Sequence, residues 1–66
     1  MKERLIDVYE MLLEDNYVIT TIVKKCNKYV IERCIVNDYS IQLIYKVEFE
    51  IYEKAYRKFE EIKTTI

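Results

Sequence analysis

The sequence predicts a small α+β domain of order α-β-β-β-α, a three-stranded antiparallel meander with two terminal helices on one face. Three observations predict it. Apolar residues recur at helical spacing near both ends, the stretch between them is rich in Val, Ile, Thr and Tyr, and two Asn-containing dipeptides divide that stretch.

The first element is expected to be a helix over residues 2–14. Leu5, Tyr9 and Leu12 form one stripe, flanked by Ile6, Val8 and Leu13. Asp15-Asn16 ends it with turn-forming residues.

Residues 17–49 follow as strands. Cys26-Asn27 and Asn37-Asp38 serve as tight turns, because Asn and Asp tolerate left-handed dihedrals in a chain without Gly. Taking each as a two-residue loop pairs Lys25 with Lys28, Val23 with Val30 and Ile19 with Cys34. Across the second turn it pairs Val36 with Tyr39, Cys34 with Ile41 and Val30 with Tyr45. Residues 39–49 alternate strictly, with Tyr39, Ile41, Leu43, Tyr45, Val47 and Phe49 on one side and Ile44 the single apolar exception on the other. The face carrying Tyr17, Ile19, Val23, Val30, Cys34, Val36 and that row is assigned to the helices, since a slip of one residue would invert it.

The last element is a helix over residues 50–63. Ile51, Ala55, Phe59 and Ile62 recur at helical spacing, Tyr52 and Tyr56 widen the stripe, and Glu50-Lys54 and Glu53-Arg57 are favourable i,i+4 pairs. A competing all-α reading makes residues 18–25 and 28–36 a helix-turn-helix. Against it stand Asn27 where Gly is common, Lys28 where an apolar residue usually follows, and Arg33 at an expected buried position.

Sixty-six residues make one domain, 1–66, of a size that buries only about 60% of its unfolded surface. Such a domain leans on disulfides, a metal, very good packing or a partner. Cys26 and Cys34 are the only cysteines, and at eight residues' separation they lie roughly 12 Å apart along a helix or about 25 Å along a strand, too far for an internal bridge. Without His or a CxxC pair no metal site is expected, and without Gly there is no phosphate-cradling loop or dinucleotide fingerprint, so no cofactor is expected either. Packing and partners remain.

The chain therefore reads as non-enzymatic. It has no imidazole base, its one serine, Ser40, sits beside a turn, and Glu48, Glu50 and Glu53 are dispersed over a strand–helix junction. The net charge of −1 sets up no global basic field, and no apolar run approaches the ~20 residues that span a bilayer. The unpaired thiols point to a reducing compartment, the cytoplasm or a host's cytoplasm if the source is viral. No membrane association and no small-molecule substrate is expected.

The sheet face opposite the helices is the predicted association surface. It carries a patch of Val18, Ile22, Tyr29, Ile31, Ile35 and Ile44 rimmed by charge. Burying ~300–400 Å² of apolar surface per copy offers roughly 8–10 kcal/mol before association costs. The leading expectation is a small protein–protein interaction module, a homodimer, of the size and chemical plainness of a phage- or virus-type inhibitor or accessory factor. The alternative is a helix-turn-helix DNA-binding regulator. A third reading is single-stranded nucleic-acid binding by Tyr29 with Lys24, Lys28, Arg33 and Lys46 around it.

Overall fold

In a computed structural model, which describes residues 3–64, the chain runs β1 (Glu3–Leu13), β2 (Asn16–Lys25), β3 (Lys28–Val36), β4 (Ile41–Phe49) and α1 (Tyr52–Lys63). The strands form one antiparallel sheet in the order β1-β2-β3-β4, and α1 packs across one face. This corrects both fold expectations. There are four strands and one helix, neither a three-stranded meander between two helices nor a helix-turn-helix.

The expected first helix is strand β1 (Lys2 lies outside the described residues). The cause is a β-bulge. Leu5 pairs with Val23 and Asp7 with Ile22, leaving Ile6 as the extra residue. The bulge breaks the two-residue alternation, so Leu5 and Leu12, seven residues apart as on two helical turns, share a face of the strand. On the strand, Leu5 and Leu12 point to one face and Tyr9 to the other.

The β1–β2 and β2–β3 hairpins both close with two-residue loops, Leu13 opposite Asn16 and Lys25 opposite Lys28. Each places its first loop residue at positive φ, Glu14 at 57° and Cys26 at 53°, the region that Gly would occupy without strain. The β2–β3 register agrees with the expected one: Val23 pairs with Val30 and Ile19 with Cys34.

The β3–β4 register differs. Val36 pairs with Ile41 rather than Tyr39, because the loop has four residues. Asn37 builds it. Its Oδ1 accepts the backbone N–H of Tyr39 at 2.8 Å and of Ser40 at 2.9 Å, and its own N–H donates to the Ser40 carbonyl at 3.0 Å. A second bulge follows. Cys34 pairs with Leu43 and Arg33 with Tyr45, leaving Ile44 as the extra residue, and Val30 then pairs with Glu48 instead of Tyr45. The alternating row of β4 is therefore divided. Ile41 and Leu43 lie on one face, Tyr45, Val47 and Phe49 on the other.

That division decides where α1 packs. Rows Ile22–Ile31–Val47 and Tyr29–Phe49 stand on one face, and Ala55, Phe59 and Ile62 of α1 close over them. Ile22, Ile31, Ala55 and Phe59 have no exposed surface. The helix thus covers the face opposite to the one assigned to it from sequence. Tyr29, Tyr52, Tyr56 and Phe59 form a run of ring contacts at 5.5, 5.8 and 5.7 Å from β3 along the helix into the core.

The helix starts at Tyr52, two residues later than expected, with Ile51 extended and without a side-chain cap. Glu50 precedes it, so the expected Glu50–Lys54 pair lacks its helical spacing. Along α1, Lys58–Glu61 and Lys63–Glu60 are i,i+3 ion pairs at 2.9 Å. Glu53 in the first turn and Lys63 in the last complement the helix dipole.

Candidate interaction surface

A sheet with one helix has two layers, and the backbone is only 15 Å thick against 35 and 26 Å in the other directions. One sheet face is therefore bare. Register places its residues in rows across the strands. The row nearest the Glu14 and Asn37 turns is Leu12–Tyr17–Val36–Ile41, and the next is Glu10–Ile19–Cys34–Leu43. Apart from Glu10 this end is apolar. Leu12 is 63% exposed, Tyr17 50%, Ile41 73% and Leu43 54%.

The opposite end is charged. Glu3, Lys25 and Lys28 share the row beside the Cys26 turn, with Lys25–Glu3 at 3.7 Å and Lys28–Glu48 at 3.4 Å. Between the ends, Val8, Thr21, Glu32 and Lys46 form a mixed row, with Glu32 directly opposite Lys46. Beyond it Leu5, Val23, Val30 and Glu48 form a further row, with Leu5 exposed and Val30 buried, so the face alternates between apolar and charged bands and carries two adjacent apolar rows only at the Glu14 and Asn37 end.

The residues expected to form the association patch lie on the other side. Ile22 and Ile31 are buried beneath α1, Val18 is 6% exposed, and Tyr29 packs edge-on against Tyr52. Ile35 and the half-exposed Ile44 line a cleft beyond the end of the helix. The physical reason is the parity change at the Ile44 bulge, which brought the helix to this face. The sequence expectation places Tyr17, Ile19, Val23, Val30, Cys34, Val36, Ile41 and Leu43 in the core and Leu12 in a helix; of these Val30 is buried and the others are half-buried or exposed. Their signal was present as hydrophobicity; what it lacked was the face.

The basic cluster is also divided. Lys24 and Arg33 belong to the helix side, Lys28 and Lys46 to the bare side. Lys24 lies 5.7 Å from the Tyr29 ring and Lys28 pairs with Glu48, so no single basic surface surrounds Tyr29.

Cys34 sits within the apolar rows and Cys26 in an exposed turn, with no disulfide between them. Among the described residues, no helix is long and apolar enough to cross a membrane, and no three His, Cys, Asp or Glu residues group as metal ligands would. No family model, curated protein or solved structure matches this chain.

Proposed function

We propose that this chain is a protein–protein interaction module whose bare sheet face binds a second copy of itself. The observation that carries the reading is the pair of apolar rows Leu12–Tyr17–Val36–Ile41 and Ile19–Cys34–Leu43, spread across all four strands with their largest side chains about half exposed or more. A contiguous apolar surface of this kind favours association.

The position of the two apolar rows at one end of the face favours one arrangement. A two-fold axis parallel to the strands stacks the apolar end on the apolar end, Leu12 against the partner's Ile41 and Tyr17 against the partner's Val36. An axis across the strands would set hydrocarbon against Lys25, Lys28 and Glu3. The first alternative matches the exposed apolar rows with each other, as the core of an isologous interface requires. Four strands ~4.8 Å apart and about 32 Å long present roughly 600 Å² per copy, or about 1,200 Å² in a dimer, the lower bound of specific interfaces. A net charge of −1 per copy opposes pairing little.

Light scattering over a range of concentrations tests the proposal. The wild type is expected to pass from monomer to dimer, and Ile41→Lys with Leu43→Glu is expected to remain a folded monomer. Thiol labelling gives a second reading: Cys34 becomes protected as concentration rises while Cys26, in the exposed turn, does not. A wild type that stays monomeric at millimolar concentration, or a double variant that dimerises unchanged, overturns it.

A further inference from the structure

On the helix side of the sheet, Thr20, Arg33 and Tyr45 stand side by side on β2, β3 and β4. Arg33 is half-buried there, and its Nε and Nη2 are shielded from solvent without a hydrogen-bond partner. Those two nitrogens are the edge with which a guanidinium takes a carboxylate by two parallel hydrogen bonds. Among the described residues, no carboxylate comes within ion-pair distance of it. Glu61 lines the same cleft, but it accepts from Lys58 at 2.9 Å, and that contact holds its carboxyl below the usual range. Two shielded N–H groups without an acceptor are costly, and supplying an anion recovers charge-assisted hydrogen bonds.

Two clefts share Arg33 and Ile44 in their linings. One, of about 320 Å³, is lined by Arg33, Ile44, Tyr45, Lys58, Glu61 and Ile62. The other, of about 170 Å³, is lined by Met11, Leu13, Val18, Arg33, Ile35 and Ile44. Apart from Arg33 the second is wholly apolar, and it lies on the part of the sheet beyond the end of α1. A cation at one end of a hydrocarbon slot fits a ligand with an anion at one end of a hydrocarbon chain.

We propose that this slot binds a medium-chain carboxylate, its headgroup on the Nε–Nη2 edge of Arg33 and its chain along Met11, Leu13, Val18, Ile35 and Ile44. At ~30 Å³ per water-sized group, the apolar cleft takes about six carbon atoms. Acetate lacks the chain and octanol lacks the charge, so neither satisfies both halves. Ile44 is the extra residue of a bulge, half exposed and shared by both clefts, and binding requires it to turn aside to admit the headgroup to the shielded edge of Arg33.

Titration with octanoate, followed by amide chemical shifts in the full chain, tests this. Saturable shifts are expected at Arg33, Ile35, Ile44 and Val18, with a rise in melting temperature as ligand is added. Arg33→Met keeps the volume and removes the charge; it is expected to fold and to bind octanoate at least about ten-fold more weakly, while octanol and acetate leave the wild type unshifted. Equal binding by Arg33→Met, equal shifts with octanol, or shifts centred on Ile41 and Leu43 of the bare face would each overturn the proposal. The outcome is independent of whether the chain dimerises, because the slot and the bare face lie on opposite sides of the sheet.

Discussion

The hydroxyl of Tyr56 on α1 donates a 3.0 Å hydrogen bond to Oδ2 of Asp7 on β1. The contact joins residues 49 positions apart and ties the helix to the outermost strand, beside the bulge at Ile6. It also pushes the Tyr56 hydroxyl up to about 12, because the hydrogen bond to Asp7 holds the proton and the nearby carboxylates disfavour a phenolate.

The pH dependence follows from that shift. The folded protein keeps the Tyr56 proton to a higher pH than the unfolded chain, whose tyrosine titrates near 10. The stabilisation is complete below pH 10 and is lost as pH rises through 12. Tyr56→Phe and Asp7→Asn are both expected to lower stability at neutral pH, and Tyr56→Phe is expected to flatten the decline in the alkaline range. Urea midpoints measured from pH 7 to 12 check this; a wild-type curve matching that of Tyr56→Phe contradicts it.

Phe59 is the largest fully buried side chain and sits where α1 meets Ile22 and Ile31. Phe59→Ala leaves a cavity in the only described core cluster and is expected to cost about 3–5 kcal/mol. At roughly 0.05–0.15 kcal/mol per residue, a chain of this length holds about 3–10 kcal/mol, so the loss is half or more of the total over most of that range. Circular dichroism at 25 °C is expected to find the variant largely unfolded.

Glu14 and Cys26 hold positive φ without being Gly. Left-handed backbone costs an ordinary residue about 1–2 kcal/mol, and part of that is returned on substitution by Gly because the unfolded chain becomes freer. Glu14→Gly and Cys26→Gly are each expected to stabilise by about 0.5–1 kcal/mol, read as a higher urea midpoint. Glu14→Val is expected to move the midpoint down, since a β-branched residue tolerates that region least.

Thr20 is fully buried, and its Oγ1 has no hydrogen-bond partner. It faces the helix in the row of Arg33 but does not line the clefts beside it. Thr20→Val keeps the shape and removes the unsatisfied hydroxyl, so it is expected to stabilise by about 1 kcal/mol. A lowered midpoint would show that the hydroxyl is satisfied in solution.

Local chemistry was enough to read the C-terminal helix, because Ala55, Phe59 and Ile62 repeat at its period, and enough to read the β2–β3 hairpin, because a two-residue turn at Cys26-Asn27 leaves only one register. The turn at Glu14-Asp15 was visible within one residue as a break in pattern, while the strand before it was not. Ile6 and Ile44 explain why. Each is one extra residue in a strand, and each reverses which face every later side chain occupies, yet neither changes the composition of its segment. In β1 the reversal produced a false helical period. In β4 it left the alternation intact and changed only its meaning.

Composition and local pattern were sufficient to show a small, strongly apolar domain with a hairpin at Cys26-Asn27 and a helix near its C-terminal end. Which sheet face the helix covers, and hence which apolar residues are core and which remain open, depends on the pairing of the strands. The physical reason is that strand parity is a relation between paired chains: a bulge resets it through hydrogen bonds to a neighbour, and no local periodicity records that partner.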